Sequence, residues 1–357
     1  MAAGASRPQH TGDRRTRTYT RQVRILVTGG SGFVGRYAVA AMIAAGHDVR
    51  VLARDPDRAR LTVAPEAEIV AGQPLRTEDV LRALAGRDVL VQAAATYSYR
   101  RGDEQRMLVE NPALARATFG AARTAGVRVV DISSIVVFSV DSARIDENSP
   151  LAHPGGPAWD DPYLQSKVIA ERLGREMERD GLDRVTLYPG AVIGPEDRGP
   201  GTSGQIVCSL LRGEVYLRGR VAWVDVRDVA AGIVAALDAP TGSTHLLTQG
   251  AEPFREVAAR LGRLTGRRVR PLFLPNPVSR VLGRVNDRFG GRLYPLPIAA
   301  QLEYSMWCTA LIDGTRAEAT LGVTYRDLDD SLADAVRWWA ANGVIEPRLA
   351  GRLAATA

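Results

Sequence analysis

Lysine is almost absent from this chain. Of its 46 basic residues, 45 are arginine and one, Lys167, is lysine. Cysteine is also scarce, since only Cys208 and Cys308 occur, far apart; this argues against a disulfide framework and fits a reducing compartment. No apolar run approaches the roughly 20 residues of a membrane-spanning helix, and the polar, arginine-rich N-terminus lacks the apolar core of a secretion signal. We therefore expect a cytoplasmic protein without a membrane span.

Charge is unevenly distributed. The net charge is +6, and residues 1–22 hold five arginines against Asp13 alone, which supplies four of those six charges. The remainder of the chain is nearly balanced, so we interpret residues 1–22 as a disordered basic arm rather than a nucleic-acid contact. No basic patch interleaved with aromatic residues follows it, and no binding of nucleic acid is expected. The four histidines lack metal-ligand spacing, so no metal site is expected.

Strands and helices alternate along the first half of the chain. "VRILVTGG" (Val23 to Gly30) is a short, β-branched apolar run typical of a buried strand, and the segment after it has apolar residues at helical spacing. The same order continues through "DVRVLAR", "DVLVQAAA", "VRVVDISS" and "RVTLYPG". Strands that alternate with helices in units of about 30 residues predict an α/β fold with a doubly wound parallel sheet of the Rossmann type.

The composition changes after about Gly194. "GPEDRGPGTSG" is rich in Gly and Pro, and from Glu252 onward amphipathic helices are broken by prolines without strand–helix alternation. We therefore predict two domains, a Rossmann domain and a smaller, mostly helical substrate-binding cap. The Rossmann domain comprises residues 23–193 and 221–250, and the cap comprises residues 194–220 and 251–357.

A glycine motif lies between the first strand and its helix. "TGGSGFVG" places Gly29, Gly32 and Gly35 at three-residue intervals. Gly29 permits a tight turn, Gly32 lets the backbone approach a pyrophosphate at the helix N-terminus, and Gly35 allows close helix packing. Because the motif follows a strand and opens a helix, it predicts a dinucleotide site.

The end of the second strand indicates which nicotinamide cofactor binds. An acidic residue there would bind the ribose 2′-hydroxyl, whereas an arginine accommodates a 2′-phosphate. The strand ends "VLARDPDRAR", which places Arg54 at this position and Arg58 shortly after it. We therefore expect NADP(H) to be preferred. Asp55 is one residue later and would still reach a hydroxyl, so NAD(H) stays open.

Tyr163 and Lys167 have YxxxK spacing, which places both side chains on one face of a helix. A free phenol titrates near pH 10. An ammonium beside it, helped by an oxidised nicotinamide, would stabilise the phenolate and lower its pKa. The compact ammonium would also donate to both ribose hydroxyls, which a planar guanidinium would do with different geometry. This chemistry explains why the only lysine of the chain lies here.

Two serines, Ser133 and Ser134, end the strand "VVDISS" at the carboxyl edge of the predicted sheet, where open α/β folds bind ligands. A hydroxyl at this edge would hydrogen-bond a substrate carbonyl and stabilise charge that develops on its oxygen.

Together these motifs resemble the extended branch of the short-chain dehydrogenase/reductase superfamily, which includes NAD-dependent epimerases and dehydratases. "TGGSGFVG", "VQAAATY", "YLQSK", "LYPGAVIGP" and "VDVRDVA" follow in that family's order. "RDPDRAR", "YSYRRGDEQ" and "VRWWAANG" are most similar to dihydroflavonol reductase and 3β-hydroxysteroid dehydrogenase relatives. Relatives often dimerise through the helix that bears the tyrosine, so the resemblance implies a homodimer.

The resemblance implies a role for each matching residue. Ser134, rather than Ser133, matches the catalytic serine, and Asn111 matches an asparagine that props the active-site helix and a proton-relay water. The residues implied to contact the cofactor, in addition to Gly35, Tyr163 and Lys167, are Gly29, Gly32, Phe33, Val34, Arg54, Gln73, Ala93, Ala94, Ala95, Pro189, Ala191 and Val192.

Three residues depart from the family pattern. Pro112 follows Asn111 where an aliphatic residue is usual, so a different start of the local helix is expected. Gln73 stands where an aspartate commonly contacts adenine. Tyr188 takes a place before "PG" that arginine or asparagine often holds.

The sequence thus predicts a reductase or dehydrogenase that moves hydride between NADP(H) and a carbonyl or secondary alcohol, with Tyr163 as the acid/base. The apolar segment "PLFLPNPVSRVLG" indicates an apolar, medium-sized substrate. One alternative is a nucleotide-sugar epimerase or dehydratase that uses bound NAD. Another is a non-catalytic regulator that senses NADP, although a sensor needs only the nucleotide site.

Overall fold

The structure is a computed structural model that describes residues 22–98, 102–199, 201–214, 216–289 and 310–356. The predicted basic arm up to residue 21 and Cys308 lie outside the described residues. Cys208 is a buried free thiol.

The strands of the described chain are β1 (Arg24–Thr28), β2 (Asp48–Ala53), β3 (Glu68–Ala71), β4 (Val89–Gln92), β5 (Arg128–Ile132), β6 (Arg144–Ile145), β7 (Arg184–Pro189), β8 (Ala191–Ile193), β9 (Tyr216–Leu217), β10 (Arg220–Asp225), β11 (Thr244–Leu247), β12 (Ala251–Pro253), β13 (Phe273–Leu274) and β14 (Leu311–Ile312). Its α-helices are α1 (Phe33–Ala44), α2 (Pro56–Arg60), α3 (Thr77–Leu84), α4 (Glu104–Ala125), α5 (Pro162–Arg179), α6 (Thr202–Arg212), α7 (Val226–Ala236), α8 (Phe254–Thr265), α9 (Asn276–Arg288), α10 (Thr315–Leu321), α11 (Leu328–Ala341) and α12 (Pro347–Ala350).

A parallel sheet organises the described chain. Seven strands lie in the order β11-β7-β5-β4-β1-β2-β3, and each pairs with its neighbours in parallel. Alternate residues of β1 face opposite sides, since Ile25 and Val27 pack in one apolar cluster with Met42 of α1 and Ile233 of α7. Leu26 packs in another cluster that includes Phe119 of α4. Helices thus cover both faces of the sheet, and the predicted doubly wound α/β fold is confirmed.

A third apolar cluster lies outside the main sheet. β8, β10 and β12 form a small sheet, and its Trp223 packs with Leu261 of α8 and Trp339 of α11. From the range assigned to the cap, Ala317 and Val323 pack instead in the main-sheet cluster. The division of the chain into two domains stays a prediction.

Helix α4 corrects one expectation. It begins at Glu104 and continues through Pro112 to Ala125, so the proline does not set the start of the helix. Proline lacks an N–H group and usually breaks a helix interior. Here the cost is offset because Asn111 and Leu114, on either side of it, are buried in the helix's contacts with the rest of the fold.

Candidate active site

The strand order reverses between β1 and β4 at the centre of the sheet, which is where open α/β folds bind ligands. Gly29 follows β1 with φ +75°, in the left-handed region that favours glycine. A Cβ at Gly29 would lie 2.5 Å from the backbone nitrogen of Ala94 and 2.6 Å from the carbonyl carbon of Ala93. The turn after β1 therefore presses against the segment after β4, and the predicted residues Gly29, Ala93 and Ala94 come together.

The start of α1 is open toward this crevice. Gly32 is its N-cap and offers no side-chain hydrogen bond to the first turn, so the free N–H groups are available to an anion. A Cβ at Gly35 would lie 2.0 Å from the carbonyl oxygen of Gly29, so helix and turn touch backbone to backbone. A dinucleotide's pyrophosphate fits this glycine-lined cradle. No role for Gly30 was predicted from the sequence, but the structure leaves no room for a side chain there, because a Cβ would lie 2.7 Å from the Val51 side chain.

Arg54 and Asp55 have different roles in the structure. Arg54 follows the last residue of β2 and is exposed. Asp55 is the N-cap of α2, where its Oδ1 accepts a hydrogen bond from the Arg58 backbone N–H at 3.0 Å. Gln73 is exposed, and its backbone N–H donates to Asp79 at 2.8 Å. The guanidinium of Arg54 is thus available to a ligand, whereas the Asp55 carboxylate is engaged in capping.

Tyr163 lies in the first turn of α5, whose N-cap Asp161 accepts from the Tyr163 backbone N–H at 2.9 Å. Ser134 acts on the Tyr163 hydroxyl as a hydrogen-bonding group that lowers its pKa, whereas Ser133 is not among the groups that shift it. Burial raises the pKa of Tyr163 to about 12, which the bond to Ser134 opposes and the charge of Asp161 reinforces. The phenol is therefore neutral around pH 7. The predicted lowering of its pKa by Lys167 is not found, because burial dominates and Lys167 is not among the groups that shift it.

Lys167 lies one turn further along α5 and is buried, with 8% of its surface exposed. Its Nζ donates to the Ile132 carbonyl at the end of β5, at 3.2 Å. Burial lowers the pKa of Lys167, and the carboxylates of Asp131 and Glu171 counter that effect. The ammonium is thus bound to the end of β5, two residues before Ser134.

Asn111 joins α4 to the active-site helix. Its side-chain amide donates to Ser166 Oγ and to the Thr96 carbonyl, both at 2.9 Å, and its Oδ1 accepts from the Thr96 backbone N–H at 2.8 Å. Ser166 adjoins Lys167 in α5. The structure therefore places Asn111 as a brace between the segment after β4 and α5; its catalytic role stays a prediction.

The other predicted contacts lie around the same crevice. Phe33 and Val34 are half-buried in the first turn of α1. Ala95 is exposed after β4, while Pro189 ends β7 and Ala191 and Val192 begin β8. Phe33 and Val34 thus come after β1, Ala95 after β4, and Ala191 and Val192 after β7, which are three strands of the main sheet.

Three residues near this crevice were not singled out from the sequence. The Tyr97 ring packs edge-on against the Tyr163 ring, with 4.3 Å between ring centroids, and 39% of Tyr97 is exposed. Tyr37 Oη donates to the Pro195 carbonyl at 3.2 Å, and Arg36 contacts Glu196. Side chains of α1 thus hold the loop after β8. Their only sequence signal is their nearness to the motifs.

The described residues contain no cluster of three or more histidine, cysteine, aspartate or glutamate side chains placed to hold a metal ion. Among the helices that the structure describes, none combines the length and the apolar character needed to cross a bilayer.

Three features define the class of protein. They are the crevice at the strand-order reversal, the glycine-lined helix start, and the neighbouring side chains of Ser134, Tyr163 and Lys167. These features are typical of dinucleotide-dependent enzymes of the short-chain dehydrogenase/reductase superfamily. The comparisons with known proteins specify it further. The model of the NAD dependent epimerase/dehydratase family matches residues 25–246, and the chain belongs to this family. It is an enzyme of the superfamily's extended branch.

Named relatives extend over nearly the whole chain. A Synechocystis sp. protein provisionally named dihydroflavonol 4-reductase is 29% identical over 90% of this chain and 95% of its own. A Stigmatella aurantiaca ketoreductase of a farnesyl dihydroquinoline oxide is 26% identical over 88% of this chain and 96% of its own. A solved Thermus thermophilus UDP-glucose 4-epimerase in complex with NAD is 22% identical. It superposes with a TM-score of 0.68 over 88% of this chain and 98% of its own. The last likeness concerns the fold alone.

Proposed function

We propose that the protein is an NADP(H)-dependent oxidoreductase that interconverts a carbonyl compound and a secondary alcohol. The observation that carries this proposal is that three side chains meet at the carboxyl edge of the sheet. Ser134 acts on the Tyr163 hydroxyl as a hydrogen-bonding group, and Lys167 Nζ donates to the Ile132 carbonyl, two residues before Ser134. A family member that only senses nucleotide would need none of these three side chains.

The residues divide the chemistry between them. In the reductive direction, the Ser134 and Tyr163 hydroxyls hydrogen-bond the carbonyl oxygen and stabilise the charge that develops on it. A bound NADPH would supply the hydride to the carbonyl carbon. Tyr163 gives its proton to the oxygen, which completes the alcohol, and Lys167 stabilises the phenolate that is left. Because the pKa of Tyr163 is raised to about 12, the phenol holds its proton at neutral pH, as a proton donor must.

The preference for NADP(H) is supported by the end of β2. Arg54 is exposed there, and Asp55, the residue that would favour a 2′-hydroxyl, accepts the Arg58 backbone N–H as the N-cap of α2. An arginine matches phosphate geometry. Gly29, Gly32 and Gly35 would hold the pyrophosphate, and Phe33, Val34, Gln73, Ala95, Pro189, Ala191 and Val192 would border the remainder of the cofactor.

The substrate is proposed to be an apolar, medium-sized carbonyl compound. Two relatives that match nearly the whole chain bear the names of a dihydroflavonol reductase and of a ketoreductase of a farnesyl dihydroquinoline oxide. The exposed ring of Tyr97 against Tyr163 offers a planar, apolar contact beside the reacting oxygen.

The test of cofactor preference is a fluorescence titration of the pure protein with NADPH and with NADH. We expect NADPH to bind at least about tenfold more tightly, and the variant Arg54→Ala to lose this difference with little change toward NADH. Arg60→Ala is the matched control, because Arg60 is exposed on α2 and pairs with Asp57 at 2.7 Å. A wild-type preference for NADH would refute the NADP(H) assignment.

The epimerase alternative is supported by the family's own description. Such an enzyme would retain NAD through purification and convert a nucleotide sugar without net change in the cofactor. Protein that carries tightly bound NAD after purification would therefore move this alternative ahead of the reductase.

A further inference from the structure

A small polar cavity lies beneath Lys167. It has a volume of about 20 Å³, and Asp131, Ser133, Asn111, Lys167 and Glu171 are among the residues that line it. A cavity of this size has room for about one water molecule. Asp131 and Ser133 are two residues apart along β5 and its end, so they face the same side, toward the cavity.

The Lys167 ammonium needs a counter-charge at this depth. Lys167 is 8% exposed, and an isolated charge in such a place is costly. The charged groups around it come from three elements: Asp131 from β5, Glu171 from α5 and Arg184 from β7. Tyr163 lies one turn away on α5. Two cations and two anions are thus buried together.

Glu171 is occupied by other donors. Its Oε1 accepts from Tyr188 Oη at 2.7 Å and from Arg175 Nε at 2.8 Å, and its Oε2 accepts from Arg184 Nη2 at 2.5 Å. Tyr188, the departure from the family pattern, is therefore a hydrogen-bond donor to this carboxylate. Arg184 and Arg175 both form ion pairs with Glu171, and their positive charges partly cancel its effect on Lys167.

Asp131 is engaged on one side only. Arg184 donates to its Oδ2, from Nη2 at 2.8 Å and from Nε at 3.2 Å, and the carboxylate also lines the cavity that Lys167 lines. Asp131 directly precedes Ile132, whose carbonyl accepts from Lys167 Nζ. Its charge acts on Lys167 more strongly than that of Glu171.

The position of the Arg184 guanidinium is fixed by the residues that surround it. The Arg184 side chain is fully buried, and its guanidinium lies over the Phe119 ring, 5.3 Å from the ring centroid. A Cβ on Gly174 of α5 would lie 2.5 Å from the guanidinium carbon, so a side chain at this position would displace the guanidinium. Arg184, which does not line the cavity, therefore fixes Asp131 through its Oδ2.

We propose that Asp131 is a positioning residue that acts as the counter-ion of Lys167, held in place by Arg184 and facing Lys167 across the cavity. The role of Lys167 in hydride transfer rests on the proposed function, but the counter-ion itself does not. The charge of Asp131 opposes the lowering that burial imposes on the pKa of Lys167, although burial also raises the pKa of Asp131 itself, which Arg184 and Lys167 oppose. Replacing Asp131 by asparagine leaves the shape and removes the charge, so Lys167 loses its proton at a lower pH.

The chain's single lysine allows a direct test. Protein grown with lysine labelled with ¹³C at Cε gives one lysine signal, and its shift with pH reports the protonation of Lys167 without any substrate. For Asp131→Asn we expect the midpoint to fall by about one pH unit or more, a tenfold change in the ratio of charged to neutral lysine. The matched control is Glu178→Gln, since Glu178 also pairs with Arg184, at 3.1 Å, but does not line the cavity; its midpoint should stay nearly that of the wild type.

Equal shifts in the two variants, or no shift in Asp131→Asn, would overturn the counter-ion proposal. If Asp131→Asn does not fold, the wild type alone decides: a lysine already neutral at pH 7 refutes the proposal, and a charged one supports it. Turnover is measured separately on the same samples. No shift in Asp131→Asn, with NADPH-dependent turnover by the wild type, would refute only the counter-ion. The predicted shift in Asp131→Asn, with no turnover by the wild type, would refute only the proposed function.

Discussion

Tyr163 and His245 respond to burial in opposite directions for one reason. Burial disfavours the charged form of each group, so it raises the pKa of the phenol to about 12 and lowers the pKa of the imidazole to about 4, with Arg316 adding to the effect on His245. For Tyr163 the consequence is chemical, because the group stays a proton donor. For His245 the consequence is one of stability.

Because His245 is buried, we expect the stability of the folded protein to fall in acid. His245 is 2% exposed, and its two ring nitrogens lie 3.1 Å from Ser243 Oγ and 3.2 Å from Thr320 Oγ1. Below about pH 6.5 the unfolded chain takes up a proton that the folded chain refuses until about pH 4. The free energy of unfolding therefore falls as the pH falls through this window, by up to about 3 kcal/mol from this group.

Urea unfolding of His245→Gln between pH 7 and pH 4 checks this. The variant should lose less stability over that range than the wild type, whatever its stability at pH 7. His153→Gln, at an exposed histidine, is the control. Parallel curves for wild type and His245→Gln would contradict the assignment.

At the scale of elements, the turn between β1 and α1 depends on backbone contact. A Cβ at Gly35 would lie 2.0 Å from the Gly29 carbonyl oxygen, so Gly35→Ala should push the turn away from the helix. We expect a loss of about 1–3 kcal/mol in the free energy of unfolding and weaker NADPH binding, measured by denaturant unfolding and fluorescence titration.

Gly120→Ala is the matched control, because it replaces a helical glycine of α4 whose Cβ would meet nothing within 4 Å. That change should stabilise the protein by up to about 1 kcal/mol, since alanine is the better helix former. Equal effects of the two substitutions would show that the turn tolerates a side chain.

Local patterns predicted the elements that depend on neighbouring residues. The strand–helix alternation, the glycine spacing and the YxxxK spacing each describe contacts within a few residues, and the parallel sheet followed from them. The start of α4 was predicted wrongly, because packing around Asn111 and Leu114 outweighs the local effect of Pro112. Tertiary burial routinely overrides such propensities.

No pattern in the sequence predicted the ion pairs and hydrogen bonds of Asp131, Glu171, Arg184 and Tyr188 near Lys167. Asp131 and Arg184 are 53 positions apart and meet only because β5 lies beside β7 in the sheet. Tyr188 was noted as a departure without an explanation, since its partner Glu171 lies on a different element. Predicting these contacts would have required the strand order, which spacing alone does not give.

For the molecule as a whole, one surface bears on assembly. Val109 of α4 and Ile169 of α5 are exposed, at 56% and 42%, on two helices that pack against each other. The homodimer implied by the resemblance would bury such residues, and it stays a prediction that sedimentation of the pure protein would decide.

The central claim is that this protein transfers hydride from NADPH to a carbonyl carbon with Tyr163 as the proton donor. The most direct measurement is the loss of NADPH absorbance with a panel of apolar ketones and aldehydes, for the wild type and for Tyr163→Phe. We expect turnover by the wild type, and a loss of about 10²–10⁴-fold in kcat for the variant with unchanged NADPH affinity. Oxidation of NADPH at the same rate by both proteins, or none by the wild type while a nucleotide sugar is epimerised, would contradict the account.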